Sequence, residues 1–129
     1  MIPLFKKLNF NNHPIVVVIN APESFQPEVE AMNPYTSLET KPEWLDSIPF
    51  AMAFVTEQES INNIIQEIGP KLAGDAIVWF CYPKKTSKKY TCTFNRDTGW
   101  EALASYDLEP VRQVAIDADW SALRFRKVQ

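Results

Sequence analysis

Residues 76–82 read AIVWFCY, a run in which every residue is apolar. A strand with one solvated face alternates apolar and polar residues, whereas continuous apolarity is typical of a strand covered on both faces. Residues 15–19 (IVVVI) and 50–55 (FAMAFV) have the same character. These three runs predict the inner strands of a mainly parallel sheet, so the expected fold class is α/β.

Helical patterns separate these runs, as a parallel sheet requires. Ile61, Ile64, Ile65 and Ile68 recur at helical spacing and predict one helix face packed on the sheet. Thr56 followed by Glu59, and Thr98 followed by Glu101, have the form of a capping box and predict two helix starts. A further short helix is expected within residues 22–32.

The end of the chain follows a different pattern. Residues 111–116 and 120–128 alternate apolar and polar side chains across a turn at 117–119, and so short a turn joins antiparallel neighbours. With a weaker strand at residues 35–40, the six strands are numbered by their starts, Ile15, Tyr35, Phe50, Ala76, Val111 and Trp120. We expect a Rossmann-like, mainly parallel, three-layer sheet of order 2-1-3-4-6-5, with strand 6 antiparallel. Residues 1–129 should form one domain with an extended lead-in at 1–13.

Composition narrows the possible functions. The 129 residues are 46% apolar and 22% charged with a net charge of −3, which is a globular composition. The glycines Gly69, Gly74 and Gly99 never share a six-residue window, which excludes a P-loop and the G-x-G-x-x-G motif. Two cysteines and one histidine cannot supply a Cys/His zinc site. No signal peptide or membrane span is visible, so we expect a cytoplasmic protein whose Cys81 and Cys92 are thiols.

Four segments carry a resemblance to a known family. They are VWFCYPKK at 78–85, RDTGWEAL at 96–103, LEPVRQVA at 108–115 and WSALRFR at 120–126. Together with Asn20-Ala21-Pro22, they resemble an uncharacterised bacterial family described only as a domain of unknown function. The resemblance covers roughly residues 14–127 and implies a small cytosolic bacterial protein, with no catalytic residue to carry over.

The arrangement of strands also resembles class I methyltransferases. Those enzymes hold S-adenosylmethionine with a glycine-rich turn after the first strand. Here that turn reads NAPES at residues 20–24 and has no glycine, so backbone amides cannot approach a ligand as closely. The sequence by itself requires no cofactor, and S-adenosylmethionine is the weaker alternative.

A basic window marks the expected ligand site. Residues 76–96 contain five basic residues and no acidic one, against 8 basic and 16 acidic residues in the rest of the chain. In open α/β sheets, ligands bind beyond the carboxyl ends of the parallel strands. We therefore expect a site, with no catalytic residue and no metal, at Asn20, Glu23, Thr56, Tyr82, Lys84, Lys85 and Arg96.

Three functions stay open at this point. The first is non-catalytic binding of a small anionic ligand or a protein partner, although a merely solvated loop would also explain the basic window. The second is a diverged S-adenosylmethionine-dependent methyltransferase-like enzyme. The third is a structural or regulatory subunit that assembles through an edge strand. The acidic net charge disfavours nucleic acid as a partner.

Overall fold

The three apolar runs form the central strands of a six-stranded sheet in this computed structural model, which describes residues 3–94 and 98–128. The strands are β1 (Ile15–Ile19), β2 (Ser37–Glu39), β3 (Ile48–Phe54), β4 (Leu72–Pro83), β5 (Leu108–Ala115) and β6 (Trp120–Lys127). The helices are α1 (Pro3–Lys7), α2 (Gln26–Ala31), α3 (Gln58–Ile68) and α4 (Glu101–Ala104), with 3₁₀ turns at Glu23–Phe25, Pro42–Trp44 and Gly69–Lys71. Within the described ranges, no helix has the length and hydrophobicity needed to cross a bilayer.

The spatial order of the strands is β2-β1-β3-β4-β6-β5. β1 pairs in parallel with β2 and with β3, and β3 pairs in parallel with β4. β6 lies between β4 and β5 and runs antiparallel to both. The predicted fold class, order and reversed strand are therefore confirmed. As a consequence, the carboxyl ends of β1, β3 and β4 meet at one edge, at the point where strand order reverses.

Helices cover both faces of the sheet, which explains why its inner strands are continuously apolar. The four isoleucines of α3 are all buried against one face, together with Leu103 of α4. The other face is covered by α1 and α2 and by the 3₁₀ turn before α2, which contributes the buried Phe25. Val78, Phe80 and Tyr82 of β4 point to the first face. This is the expected three-layer arrangement.

The N-terminal segment differs from the expected extended lead-in. Residues 3–7 form α1, and the backbone N–H of Leu8 donates to the Leu4 carbonyl at 3.0 Å, so Phe5 and Leu8, three positions apart, lie on one side. Both side chains are fully buried, and the Leu8 carbonyl accepts a 2.9 Å hydrogen bond from the indole Nε1 of Trp79. The extended prediction is wrong for residues 3–7, because a helical turn there lets Phe5 and Leu8 be buried together against the sheet.

Neither predicted capping box forms. α3 begins at Gln58 with Glu57 as its N-cap, and α4 begins at Glu101 with Trp100 as its N-cap, in both cases without a side-chain capping bond. Thr56 instead lies before the cap, and its carbonyl accepts the backbone N–H of Thr93 at 3.1 Å. Thr56 is thus one residue too early to act as the N-cap, and its backbone carbonyl instead contacts the loop after β4.

Candidate functional site

A cavity of about 730 Å³ opens at the carboxyl end of β4. Strands β4, β5 and β6 contribute Tyr82, Gln113 and Ser121 to its lining, and the loop of residues 84–94 contributes most of the remainder. We call it the β4 cavity. It is lined by Tyr82, Pro83, Lys84, Lys85, Thr86, Ser87, Tyr90, Thr91, Cys92, Thr93, Phe94, Thr98, Gln113 and Ser121.

The beginning of the loop is attached to the turn between β5 and β6. The backbone N–H of Lys84 donates to the carbonyl of Asp119 at 2.8 Å, and Ser87 Oγ donates to Asp119 Oδ1 at 2.9 Å. The same Ser87 oxygen accepts the backbone N–H groups of Lys89 and Tyr90 at 3.3 and 3.1 Å. Because these bonds converge on Ser87 and Asp119, the two residues attach the start of the loop to the β5–β6 turn.

The end of the loop is attached to the sheet by aromatic contacts. The ring of Phe94 lies 5.9 Å from that of Tyr82 and 5.1 Å from that of Trp100. The ring of Tyr90 lies 4.9 Å from that of Trp120, which belongs to the other face of the sheet. The loop therefore crosses the end of the sheet and packs on both faces, and the β4 cavity lies beneath it.

The charged groups that surround the cavity in the fold differ from those that neighbour it in the sequence. Two lysines and several hydroxyl groups line the cavity, and no carboxylate of a described residue does so. However, Asp119 contacts the loop directly, and Asp117 accepts the backbone N–H groups of Asp119 and Trp120 at 2.8 and 2.9 Å. The basic window is thus free of acidic residues in sequence, but the fold places two aspartates beside it.

The structure separates the predicted site residues into two groups. Tyr82, Lys84 and Lys85 line the β4 cavity. Asn20, Glu23 and Thr56 follow β1 and β3 at the same edge of the sheet but are not among the lining residues. Arg96 lies outside the described residues. Asn20 adopts a left-handed φ of 58°, which asparagine tolerates better than most residues.

Several lining residues are absent from the set suggested by the sequence. Ser121 faces Tyr82 across the β4–β6 pair, and Gln113 faces Leu123 across the β5–β6 pair. Ser121, Leu123 and Phe125 share one face of β6, so the serine is a polar residue on an otherwise apolar, buried face. That interruption is the sequence signal that indicates Ser121, provided the strand pairing is known.

The thiol in the cavity is not an activated nucleophile. Partial burial raises the pKa of Cys92, although a hydrogen bond from the backbone of Phe94 opposes the shift. Burial, reinforced by the charge of Asp117, raises the pKa of Cys81 further. Because both pKa values are raised, both thiols stay protonated near neutral pH. The thiolate is the reactive species, so neither group is activated. No cluster of potential metal ligands occurs within residues 3–94 and 98–128.

No family model and no curated protein matches the chain. Solved structures do match. A proposed type 11 methyltransferase from Sulfolobus solfataricus superposes with a TM-score of 0.60 at 10% identity, covering 94% of this chain and 88% of that one. A SAM-dependent methyltransferase from Aquifex aeolicus gives 0.58 at 11% identity, covering 95% and 86%. The tRNA methyltransferase TrmK from Bacillus subtilis superposes with a TM-score of 0.58 at 10% identity. The match covers 97% of this chain and 65% of the TrmK chain.

These matches show the fold. The chain has the Rossmann-like architecture found in S-adenosylmethionine-dependent methyltransferases, in agreement with the strand order. At identities of 10–11%, they carry no substrate or catalytic residue to this chain. The chain spans less than two thirds of TrmK, so the activity of that enzyme is not transferred either. Membership in the uncharacterised bacterial family stays a prediction.

Proposed function

We propose that this protein binds a small anionic ligand in the β4 cavity. The observation that carries this proposal is the lining, which combines Lys84 and Lys85 with hydroxyl groups and with no described carboxylate. Neither lysine forms an ion pair with a described residue. Ammonium groups that lack an internal counter-ion at a concave site attract phosphate or carboxylate groups.

The neighbouring side chains support a ligand that carries a planar group beside its charge. Tyr90 lines the cavity and is only partly buried, and the Nζ of Lys89 lies 5.6 Å from the centre of its ring. Aromatic rings of this kind stack on planar ligands, and hydroxyl groups such as those of Thr91 and Thr93 supply hydrogen bonds. Binding of this kind needs no catalytic residue.

A paired charge reversal tests the proposal. In a thermal-shift screen against nucleotides, sugar phosphates and carboxylic acids, a ligand at a hundredfold excess over its Kd should raise the Tm by roughly 10 °C. The double variant Lys84→Glu, Lys85→Glu should lose most of this shift, because repulsion replaces attraction at the cavity. The double variant Lys6→Glu, Lys41→Glu is the control, since it changes the net charge equally at exposed residues outside the cavity and its loop. Equal ligand shifts in both double variants would contradict the proposal.

A second function, methyl transfer from S-adenosylmethionine, is favoured by the fold. The comparisons support this function more than they support a purely binding role, because the matched structures include S-adenosylmethionine-dependent methyltransferases. The turn after β1 fits the cofactor only in part. Asn20 adopts the left-handed conformation that glycine adopts without strain, but Pro22 has no N–H to donate. We therefore assign no chemical step to these residues.

Calorimetry with S-adenosylmethionine tests this second function. The expected result is measurable heat for the native protein and an affinity about 5- to 30-fold weaker for Asn20→Val, because a β-branched residue shifts the free turn away from a positive φ by about 1–2 kcal/mol. Asn12→Val is the matched control, since Asn12 has a φ of 54° but precedes β1 at the opposite end of that strand. The absence of heat at millimolar S-adenosylmethionine would exclude this function. If the two variants weaken the affinity for the cofactor equally, Asn20 is not part of the site.

A further inference from the structure

A second cleft, of about 550 Å³, lies at the opposite end of the sheet from the β4 cavity. The first residues of β4, the last residues of β6 and Glu109 of β5 form its walls. We call it the arginine cleft. It is lined by Gly74, Asp75, Ala76, Glu109, Arg124, Arg126, Lys127 and Val128.

Two arginines face each other next to this cleft. Arg112 of β5 and Arg124 of β6 are directly opposite in the antiparallel pair, an arrangement that is unfavourable for like charges. Both guanidinium groups donate to the same neutral acceptor, Asn9 Oδ1, at 2.7 Å from Arg112 and 3.1 Å from Arg124. No carboxylate of a described residue is within ion-pair distance of either group.

A structural role accounts for Arg112 but not for Arg124. Arg112 also donates to the Lys7 carbonyl at 2.8 Å, and its guanidinium lies 5.6 Å from the centre of the Trp79 ring. It thereby attaches the end of α1 to the sheet. The hydrogen bond to Asn9 is the one contact of this kind that Arg124 makes with described residues, and its buried Nε has no partner. Most of the donors on Arg124 are therefore unused.

The charges around Arg124 leave the cleft positive. Arg124, Arg126 and Lys127 bring three positive charges to the lining against the two negative charges of Glu109 and Asp75, and Arg126 and Glu109 form an ion pair at 3.0 Å. Asp75 is the other acidic residue of the lining. Burial, followed by the charges of Arg112 and Arg126, lowers the pKa of Arg124.

We propose that the arginine cleft binds a phosphate group, with Arg124 as its principal ligand and Arg126 and Lys127 as supporting cations. The planar guanidinium matches the oxygen geometry of a phosphate, and the anion would supply the acceptors and the negative charge that Asn9 cannot. This site is independent of the β4 cavity. Free phosphate and the phosphate of a phosphomonoester share this chemistry.

An NMR titration localises the binding directly. Inorganic phosphate and glycerol 3-phosphate are added separately to ¹⁵N-labelled protein, with chloride at equal ionic strength as the reference. The chain has three glycines, so the amide signal of Gly74 in the cleft is readily distinguished from that of Gly99 near the β4 cavity. We expect both phosphates to shift Gly74, whatever their effect on Gly99, because a shift of Gly99 reports binding at the separate β4 cavity. A larger response to glycerol 3-phosphate would identify a phosphomonoester as the preferred source.

Substitutions of single residues test whether Arg124 is responsible for phosphate binding in the arginine cleft. Arg124→Gln should weaken phosphate binding about tenfold or more, because it removes a charge-assisted hydrogen bond. The exposed Arg126→Gln, which leaves β6 packing intact, should weaken binding less. Lys88→Gln, outside the cleft, should leave it unchanged. The proposal is overturned if chloride shifts Gly74 as much as phosphate does, or if Arg124→Gln titrates like the native protein.

Discussion

Trp79→Ala is expected to lower the free energy of unfolding by about 3–5 kcal/mol, the range for truncating a large buried aromatic residue. Trp79 lies at the centre of β4 with 0% exposure, between the register partners Met52 on β3 and Arg124 on β6. The substitution leaves a large void in the face of the sheet covered by α1. It also leaves the Leu8 carbonyl without its indole donor.

The matched control is Trp44→Ala. Trp44 is 88% exposed in the 3₁₀ turn before β3, so the same truncation there should change stability by no more than about 0.5 kcal/mol. Trp79→Phe isolates the hydrogen bond, because it keeps most of the ring volume and removes the N–H donor. Denaturant unfolding measures all three variants. A loss below about 1 kcal/mol for Trp79→Ala would contradict the packing described for this face.

Gly99→Ala is expected to lower the free energy of unfolding by about 2–4 kcal/mol. It should also weaken the binding of any ligand in the β4 cavity. Gly99 has a φ of 94°, a conformation that residues with a side chain rarely adopt, and a Cβ placed there would lie 2.8 Å from Cβ of Phe94. Because that neighbour is the base of a side chain rather than its flexible end, the clash must move the backbone. Phe94 lines the cavity and packs on Tyr82, so the displacement reaches the site.

Gly74→Ala provides the control for this prediction. A Cβ at Gly74 would have no atom within 4 Å, and the φ of this residue is not positive, so alanine there should be neutral or stabilise the protein by up to about 1 kcal/mol. Thermal unfolding followed by circular dichroism compares the two variants. If both glycine variants melt at the same temperature as the native protein, the close contact between Gly99 and Phe94 is wrong.

The strand order could be predicted from sequence because it depends on a pattern that tertiary structure reinforces. A run such as residues 76–82 is apolar for the same reason that it is central, namely that helices cover both of its faces. The ends of elements were less predictable. β4 begins at Leu72 rather than at Ala76, because its first residues include the exposed Gly74 and Asp75, which carry no apolar signal.

The candidate site could be predicted only where it follows a strand. Tyr82 and Lys84 belong to the β4 segment and its loop, so their place at the carboxyl edge follows from the direction of the strand. Ser87 and Asp119 could not be identified, because the bond between them joins positions 32 residues apart through a loop without periodicity. The pairing of Arg112 with Arg124 likewise depends on the β5–β6 register, which shifts between Pro110 and Arg112.

The hydrogen bonds of Asn9 have a consequence for biosynthesis. Its arginine partners lie 103 and 115 positions further along the chain, and β6 inserts between two strands made before it. At a synthesis rate of 5–20 residues per second, α1 leaves the ribosome roughly 5–20 seconds before these partners exist. The side-chain oxygen of Asn9 therefore lacks both of its arginine partners until β5 and β6 have emerged. Completion of the face covered by α1 is consequently one of the last steps in the assembly of this sheet.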